Sequence, residues 1–207
     1  MAVDLRLYAL VDPAVAGGRT LVDLARRLTA SATLLQLRDK HGSTRAMVEE
    51  TRDLRAVLEP EGIPLLVNDR VDVALAAGAT GVHVGADDLP VAAVRRITPA
   101  GFIIGTSVGV DAEVAGAAGA DYVGIGPVFA TPSKMDAGPA IGLDGLAHFI
   151  RACGLPAVAI GGIDAGNAHS VLAAGARGVA VLRAVFGANN PEAAARSLRT
   201  ALGGIPA

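Results

Sequence analysis

The sequence predicts an α/β fold, a single-domain (β/α)8 TIM barrel over residues 1–207, and three observations carry that prediction. Eight short apolar runs recur along the chain, at about 5–11, 32–37, 64–67, 81–84, 102–106, 122–126, 156–160 and 178–182. Helical stretches separate them, near 19–30, 43–59, 71–77, 90–97, 111–118, 142–152, 164–174 and 191–202. Three segments are near copies: Ala76-Ala77-Gly78-Ala79, Ala117-Ala118-Gly119-Ala120 and Ala173-Ala174-Gly175-Ala176 each lead from an Ala-rich helix into a strand. The glycine suits a left-handed helix end, and a fully apolar strand directly after a helix marks parallel α/β structure. An open doubly wound sheet is the competing architecture. It would want Gly-x-Gly-x-x-Gly after the first strand, where Val11-Asp12-Pro13-Ala14-Val15-Ala16-Gly17-Gly18 stands instead.

Composition bounds the function. The chain has 207 residues, 52% of them hydrophobic, with 26 glycines and no tryptophan, which suits aliphatic strands and Ala-rich helices around one core. A net charge of −2 gives no global field for nucleic acid or an anionic membrane, so any anion must be met by local groups. The lone Cys153 forms no internal disulfide, which fits a reducing compartment. Met1 to Arg6 lacks a signal-peptide pattern, and glycines and charges interrupt every long apolar run. The expectation is a cytoplasmic protein with small-molecule partners, no nucleic acid and no membrane; a homodimer stays open.

In a TIM barrel the active face is formed at the carboxyl ends of the strands. Polar clusters fall there in order. The second run ends in Gln36-Leu37-Arg38-Asp39-Lys40, and strand alternation would bring Gln36, Arg38 and Lys40 to one face. Unpartnered cations there are costly, so an anion is expected. The third run leads into Asn68-Asp69-Arg70, and the fourth is followed by Asp88. Two carboxylates on successive strand ends can hold Mg²⁺, which favours one or two carboxylates, waters and phosphate oxygens. The competing reading makes Asp88 a helix N-cap before Leu89-Pro90 and Asp69 a salt-bridge partner of Arg70.

Ser107 follows the fifth run, placed either to cap the next helix or to touch a substrate. After the sixth, Thr131-Pro132-Ser133-Lys134 sits in a long connection between Gly126 and Gly142, and long loops in compact barrels are usually functional. Two hydroxyls and the Lys134 ammonium can close over phosphate oxygens. Ile160-Gly161-Gly162-Ile163-Asp164 ends the seventh strand and opens a helix; with Leu182-Arg183-Ala184 after the eighth it forms a phosphate cradle. The histidines match no zinc spacing, and His83, inside an apolar strand, reads as a tolerated core residue. No Ser-His-Asp pattern appears.

Taken in order, Gln36-Leu37-Arg38-Asp39-Lys40, Asn68-Asp69-Arg70, Gly85 to Pro90 with Asp88, Gly105-Thr106-Ser107, Gly124-Ile125-Gly126-Pro127-Val128-Phe129 with Thr131-Pro132-Ser133-Lys134, and Ala159-Ile160-Gly161-Gly162-Ile163 resemble the thiamine-phosphate synthase family. The similarity runs from about Tyr8 to Val185. It implies a barrel enzyme that joins 4-amino-2-methyl-5-hydroxymethylpyrimidine diphosphate to 4-methyl-5-(2-hydroxyethyl)thiazole phosphate, releasing diphosphate with Mg²⁺. By matching position, Asp69 and Asp88 would bind Mg²⁺. Arg38, Lys40, Asn68 and Lys134 would contact the diphosphate, Gln36 the pyrimidine, and Ser107 the reacting centre. Among these, Ser107, Lys134 and Arg38 would be catalytic. Thr131, Ser133 and the backbone at Gly162, Leu182 and Arg183 would hold the thiazole phosphate.

The chain departs from the family at several positions. Ala86 stands where Gln is common, Val108-Gly109-Val110 where Cys-His-Ser is frequent, Ser133 for the second Thr, and Arg183 for a small Ser. A thiazole tautomerase and a non-catalytic sensor of thiamine precursors are the rival readings. The tautomerase does no diphosphate chemistry and has less need of Asp69, Asp88 and the cationic face, whereas the sensor would bind ligand without turnover. A phosphosugar isomerase or aldolase would want a clear base or Schiff-base lysine, and none is evident.

Overall fold

A computed structural model of the chain describes residues 3–131 and 138–203. Eight parallel strands close on themselves in sequence order: β1 (Leu7–Val11), β2 (Leu34–Leu37), β3 (Leu65–Asn68), β4 (Gly81–Val84), β5 (Ile103–Val108), β6 (Tyr122–Ile125), β7 (Ala157–Ile160) and β8 (Gly178–Val181). β8 pairs with β1 through Leu7 opposite Val179 and Tyr8 opposite Ala180, so no sheet edge is left. The helices are α1 (Leu21–Leu28), α2 (Thr44–Leu58), α3 (Val71–Ala77), α4 (Val91–Ile97), α5 (Asp111–Val114), α6 (Gly142–Cys153), α7 (Ala168–Ala173) and α8 (Pro191–Ala201). The expected (β/α)8 barrel is what the chain forms.

Side-chain alternation along each strand splits the core in two. Outward residues such as Leu7, Ala9, Val11, Leu35 and Leu37 are fully buried under Leu24, Leu28, Leu54 and Leu58 of α1 and α2. Inward residues Tyr8, Leu10, Leu34, Leu66, Tyr122, Val158 and Ala180 fill the barrel itself. Side-chain caps start several helices: Thr20 accepts from the Asp23 N–H, Ser43 from Ala46 and Asn190 from Ala193. Pro191 then occupies the first turn of α8, where no N–H is needed.

Several helices are shorter than the sequence predicts, and two of them differ at the carboxyl face. The stretch 111–118 is one α-helical turn followed by a 3₁₀ turn over Ala115–Ala117. Glu113 there folds back to accept from the N–H groups of Gly109 and Val110. The helix expected from residue 164 begins only at Ala168. Asp164 N–H donates to the Asn167 Oδ1 and Asn167 Nδ2 donates to the Gly162 carbonyl, so a closed loop replaces the first helical turn. The second difference comes from a side chain competing for backbone groups at the carboxyl face. No helix among the described residues is long and apolar enough to cross a membrane.

Candidate active site at the barrel mouth

β2 ends at Leu37, so Arg38 to Lys40 leave strand alternation and the two cations part to opposite neighbours. Arg38 turns towards β1: its Nη1 donates to Asp12 Oδ2 at 2.5 Å. Asp12 is buried at 3% exposure, and its other oxygen accepts from the Ala14 N–H at 2.8 Å. Lys40 turns towards β3, placing its Nζ 2.5 Å from Asp69 Oδ2. The expected convergence on one face is therefore a spread across one rim.

Asp69 is the one non-glycine among the described residues with positive φ, at 62°. Its N–H donates to the His83 carbonyl, and the Arg70 N–H donates to the Asn68 carbonyl, locking a tight turn between β3 and α3. A left-handed non-glycine costs about 1–3 kcal/mol, and Asp tolerates it better than most. The turn aims the carboxylate into the mouth instead of along the chain. Asp88 lies across from it and accepts from the Gly85 N–H at 2.7 Å. Burial pushes the Asp88 carboxyl above its ordinary value. The Gly85 N–H and the Lys40 ammonium oppose that shift, while the adjacent Asp69 carboxylate adds to it.

The two structural alternatives fail on geometry. Arg70 pairs with Asp72, not Asp69, and Asp88 caps nothing in α4, whose N-cap is Pro90. What remains is a pair of hard-oxygen donors close enough to repel, neutralised on one side by Lys40. No group of three or more ligating side chains gathers among the described residues. Such a donor set fits a divalent ion whose other ligands are waters and phosphate oxygens.

A cavity of about 710 Å³ opens at the carboxyl ends of β5 to β8; Lys40, Asn68, Asp69 and Asp88 are not among the residues that line it. Arg38, Ser107, Thr131, Gly162, Leu182 and Arg183, all expected site residues, line it. Gly161 and Gly162 have φ of 98° and 63°, which L side chains rarely adopt. A Cβ on Gly162 would lie 2.7 Å from the Ala130 carbonyl oxygen, so the turn packs against the start of the β6–α6 connection. Asn68 ends β3 next to Asp69. Ser133 and Lys134 lie outside the described residues. A smaller hollow of about 210 Å³, between Arg55, Glu59, Gly62 and Thr80, lies at the opposite, amino end and holds none of the expected residues.

Two residues escaped sequence reasoning. Asp12, given no role from the sequence, is the buried carboxylate that holds Arg38. The signal available was an acid directly after the first strand. His83 is not an idle core residue: its Nδ1 lies 2.8 Å from the Tyr122 hydroxyl and its Nε2 3.0 Å from Ser107 Oγ. Its strand position, one residue before the carboxyl end of β4 and facing inward, is the signal that was legible.

Asp12→Asn tests the first of these. Asn keeps an acceptor for Ala14 but leaves Arg38 without its counter-charge. Breaking a buried pair costs several kcal/mol, so a loss of about 3 kcal/mol in denaturant unfolding is expected. A change below about 1 kcal/mol would place the pair among ordinary surface bridges.

Cations and carboxylates from β1 to β4 share the carboxyl face of the barrel with a glycine turn and the ends of β7 and β8. The thiamine monophosphate synthase family matches residues 7–185. A thiamine-phosphate synthase of Methanoculleus marisnigri is 53% identical over 196 residues, covering 93% of each chain. That of Chloroflexus aurantiacus is 48% identical over 202 residues, covering 95% of this chain and 92% of its own. The solved thiamine phosphate pyrophosphorylase of Pyrococcus furiosus superposes with a TM-score of 0.87 at 39% identity, covering 97% of this chain and 96% of that one. The chain belongs to the thiamine monophosphate synthase family.

Proposed function

We propose that the chain joins a hydroxymethylpyrimidine diphosphate to a hydroxyethylthiazole phosphate, forming thiamine phosphate and releasing diphosphate. The observation that carries this reading is the placement of Arg38, Lys40, Asp69 and Asp88 along one rim, with Arg38 also lining a cavity that includes the Gly161-Gly162 turn.

The residues suit a dissociative displacement. The aminopyrimidine ring donates electrons to its exocyclic methylene, so the C–O bond to diphosphate breaks early. The thiazole nitrogen then forms the C–N bond with its own lone pair. No strong base is needed for that step. The demand is to stabilise charge growing on the leaving oxygens, which fixed charges do best in a site shielded from water. Arg38, held by Asp12, and Lys40 supply preset positive charge, with Asn68 as a neutral donor. Asp69 and Asp88 would hold Mg²⁺, which when bound supplies further positive charge to the diphosphate. Gln36 is assigned to the pyrimidine by resemblance alone; it is 2% exposed and its Nε2 donates to the Tyr8 hydroxyl. Thr131 with the backbone at Gly162, Leu182 and Arg183 would hold the thiazole phosphate; Ser133 and Lys134 complete the set by resemblance.

Incubating the pure protein with both substrates, with and without Mg²⁺, tests this directly. Thiamine phosphate and diphosphate should appear in equal amounts only when Mg²⁺ and both substrates are present. Conversion of the thiazole alone, or tight binding without turnover, would refute it.

A further inference from the structure

Five side chains from five strands form one hydrogen-bonded chain through the barrel interior. Gln36 Nε2 reaches the Tyr8 hydroxyl at 2.5 Å, and Tyr8 meets the Tyr122 hydroxyl at 3.0 Å. Tyr122 then meets His83 Nδ1 at 2.8 Å, and His83 Nε2 meets Ser107 Oγ at 3.0 Å. Gln36, Tyr8 and Tyr122 are at most 2% exposed, whereas Ser107 lines the cavity. The barrel gives up side chains to seat these rings. A Cβ on Gly105 would lie 2.1 Å from the Tyr122 ring, and one on Gly124 would lie 3.0 Å from His83 Cε1. Polar groups seated this deep are tolerated only when each is satisfied.

Satisfaction fixes an order. Burial raises both phenols far above their ordinary pKa, so each keeps its single proton. With the Gln36 amide nitrogen donating to Tyr8, the Tyr8 proton goes to Tyr122 and the Tyr122 proton to His83 Nδ1. His83 must then be the tautomer protonated at Nε2, and it donates to Ser107. Ser107 therefore receives a hydrogen bond from below and is left with its own proton to give into the mouth. The opposite order, with the amide as placed, would strand the Tyr8 proton in a dry site at a cost of about 1–3 kcal/mol.

We propose that this buried chain holds Ser107 as a hydrogen-bond donor aimed into the barrel mouth, making Tyr122 and His83 positioning residues for the reaction. The acceptor would be an oxygen or ring nitrogen of the pyrimidine diphosphate, so this inference rests on the function proposed above. The residues act through Ser107 and touch no reacting atom themselves.

Two measurements test it. In the wild-type protein without substrates, ¹⁵N NMR of His83 should show a protonated Nε2 and a bare Nδ1. A proton on Nδ1 would mean that the whole chain runs the other way and would overturn the proposal. This readout stands whether or not thiamine phosphate is the product. In turnover assays Tyr122→Phe should lower kcat about tenfold, the worth of one neutral hydrogen bond, with KM little changed. In a Ser107→Ala background the same substitution should cause no further loss, because the two act as one unit. A full tenfold loss repeated in that background, or no loss in either, would show a purely structural role. If Tyr122→Phe does not fold, His83→Gln against His83→Ala replaces it. Gln keeps a donor for Ser107 and should retain about ten times more kcat than Ala; equal rates would sink the proposal.

Discussion

Asp69→Gly is expected to fold normally and to be nearly inactive. The wild-type residue sits at φ 62°, where glycine is at ease, so the substitution releases backbone strain of about 1–3 kcal/mol. It also removes a carboxylate that faces Asp88. Against that stand the lost pairing with Lys40 and the greater freedom of glycine in the unfolded chain, each worth about 1 kcal/mol or less. Net stability should therefore fall between a loss of about 1 kcal/mol and a gain of about 3 kcal/mol. Turnover should fall about 10²–10³-fold, as when one preset group stabilising transition-state charge is lost. Denaturant unfolding and kcat, measured on the same preparation, check both halves. A variant that keeps its rate would remove Asp69 from the metal pair, and one that fails to fold would make the turn structural. Strain retained where a glycine would relieve it is what a functional carboxylate predicts.

The second large effect is expected at the glycine turn, and Gly154 supplies its control. Gly162 and Gly154 share a φ of 63°, so alanine meets the same backbone penalty at both, about 1–2 kcal/mol. They differ in space. A Cβ at Gly154 meets nothing within 4 Å, whereas one at Gly162 would lie 2.7 Å from the Ala130 oxygen and 2.8 Å from Phe129 Cβ. Gly162→Ala must shift the turn or the chain beside Thr131. A misplacement of about 1 Å can cost about 10²-fold, so KM for the thiazole phosphate should rise by about that factor. Gly154→Ala should lose stability alone. Equal kinetics for the two variants would separate the turn from phosphate binding.

Much of this architecture was legible because it rests on local pattern. Aliphatic runs such as Leu65-Leu66-Val67 and the recurring Ala-Ala-Gly-Ala stops specify strands and helix ends directly. Eight such units leave little choice of topology. The mouth was legible for a related reason: whatever follows a barrel strand arrives at the carboxyl face, so Arg38, Asp69, Asp88 and Gly162 were placed by counting alone. What stayed hidden depends on which side chains meet across strands. Asp12 is 26 residues from Arg38, and Tyr8 is 114 from Tyr122. Nothing in either residue's neighbourhood announces such a partner. The shortened start of α7 was missed because an Asn167 side chain won the contest for the Asp164 N–H, a choice settled by the geometry of the preceding glycine turn.

The most direct test of the whole account is calorimetric titration of the protein with inorganic diphosphate, run with and without Mg²⁺. Binding should need Mg²⁺, be weakened strongly by Asp88→Ala and by Arg38→Ala, and be unaffected by Arg177→Ala, which stands before β8 at the far end of the barrel. Mg²⁺-independent binding, or equal affinity in all three variants, would contradict the claim that these carboxylates and cations act together on a diphosphate.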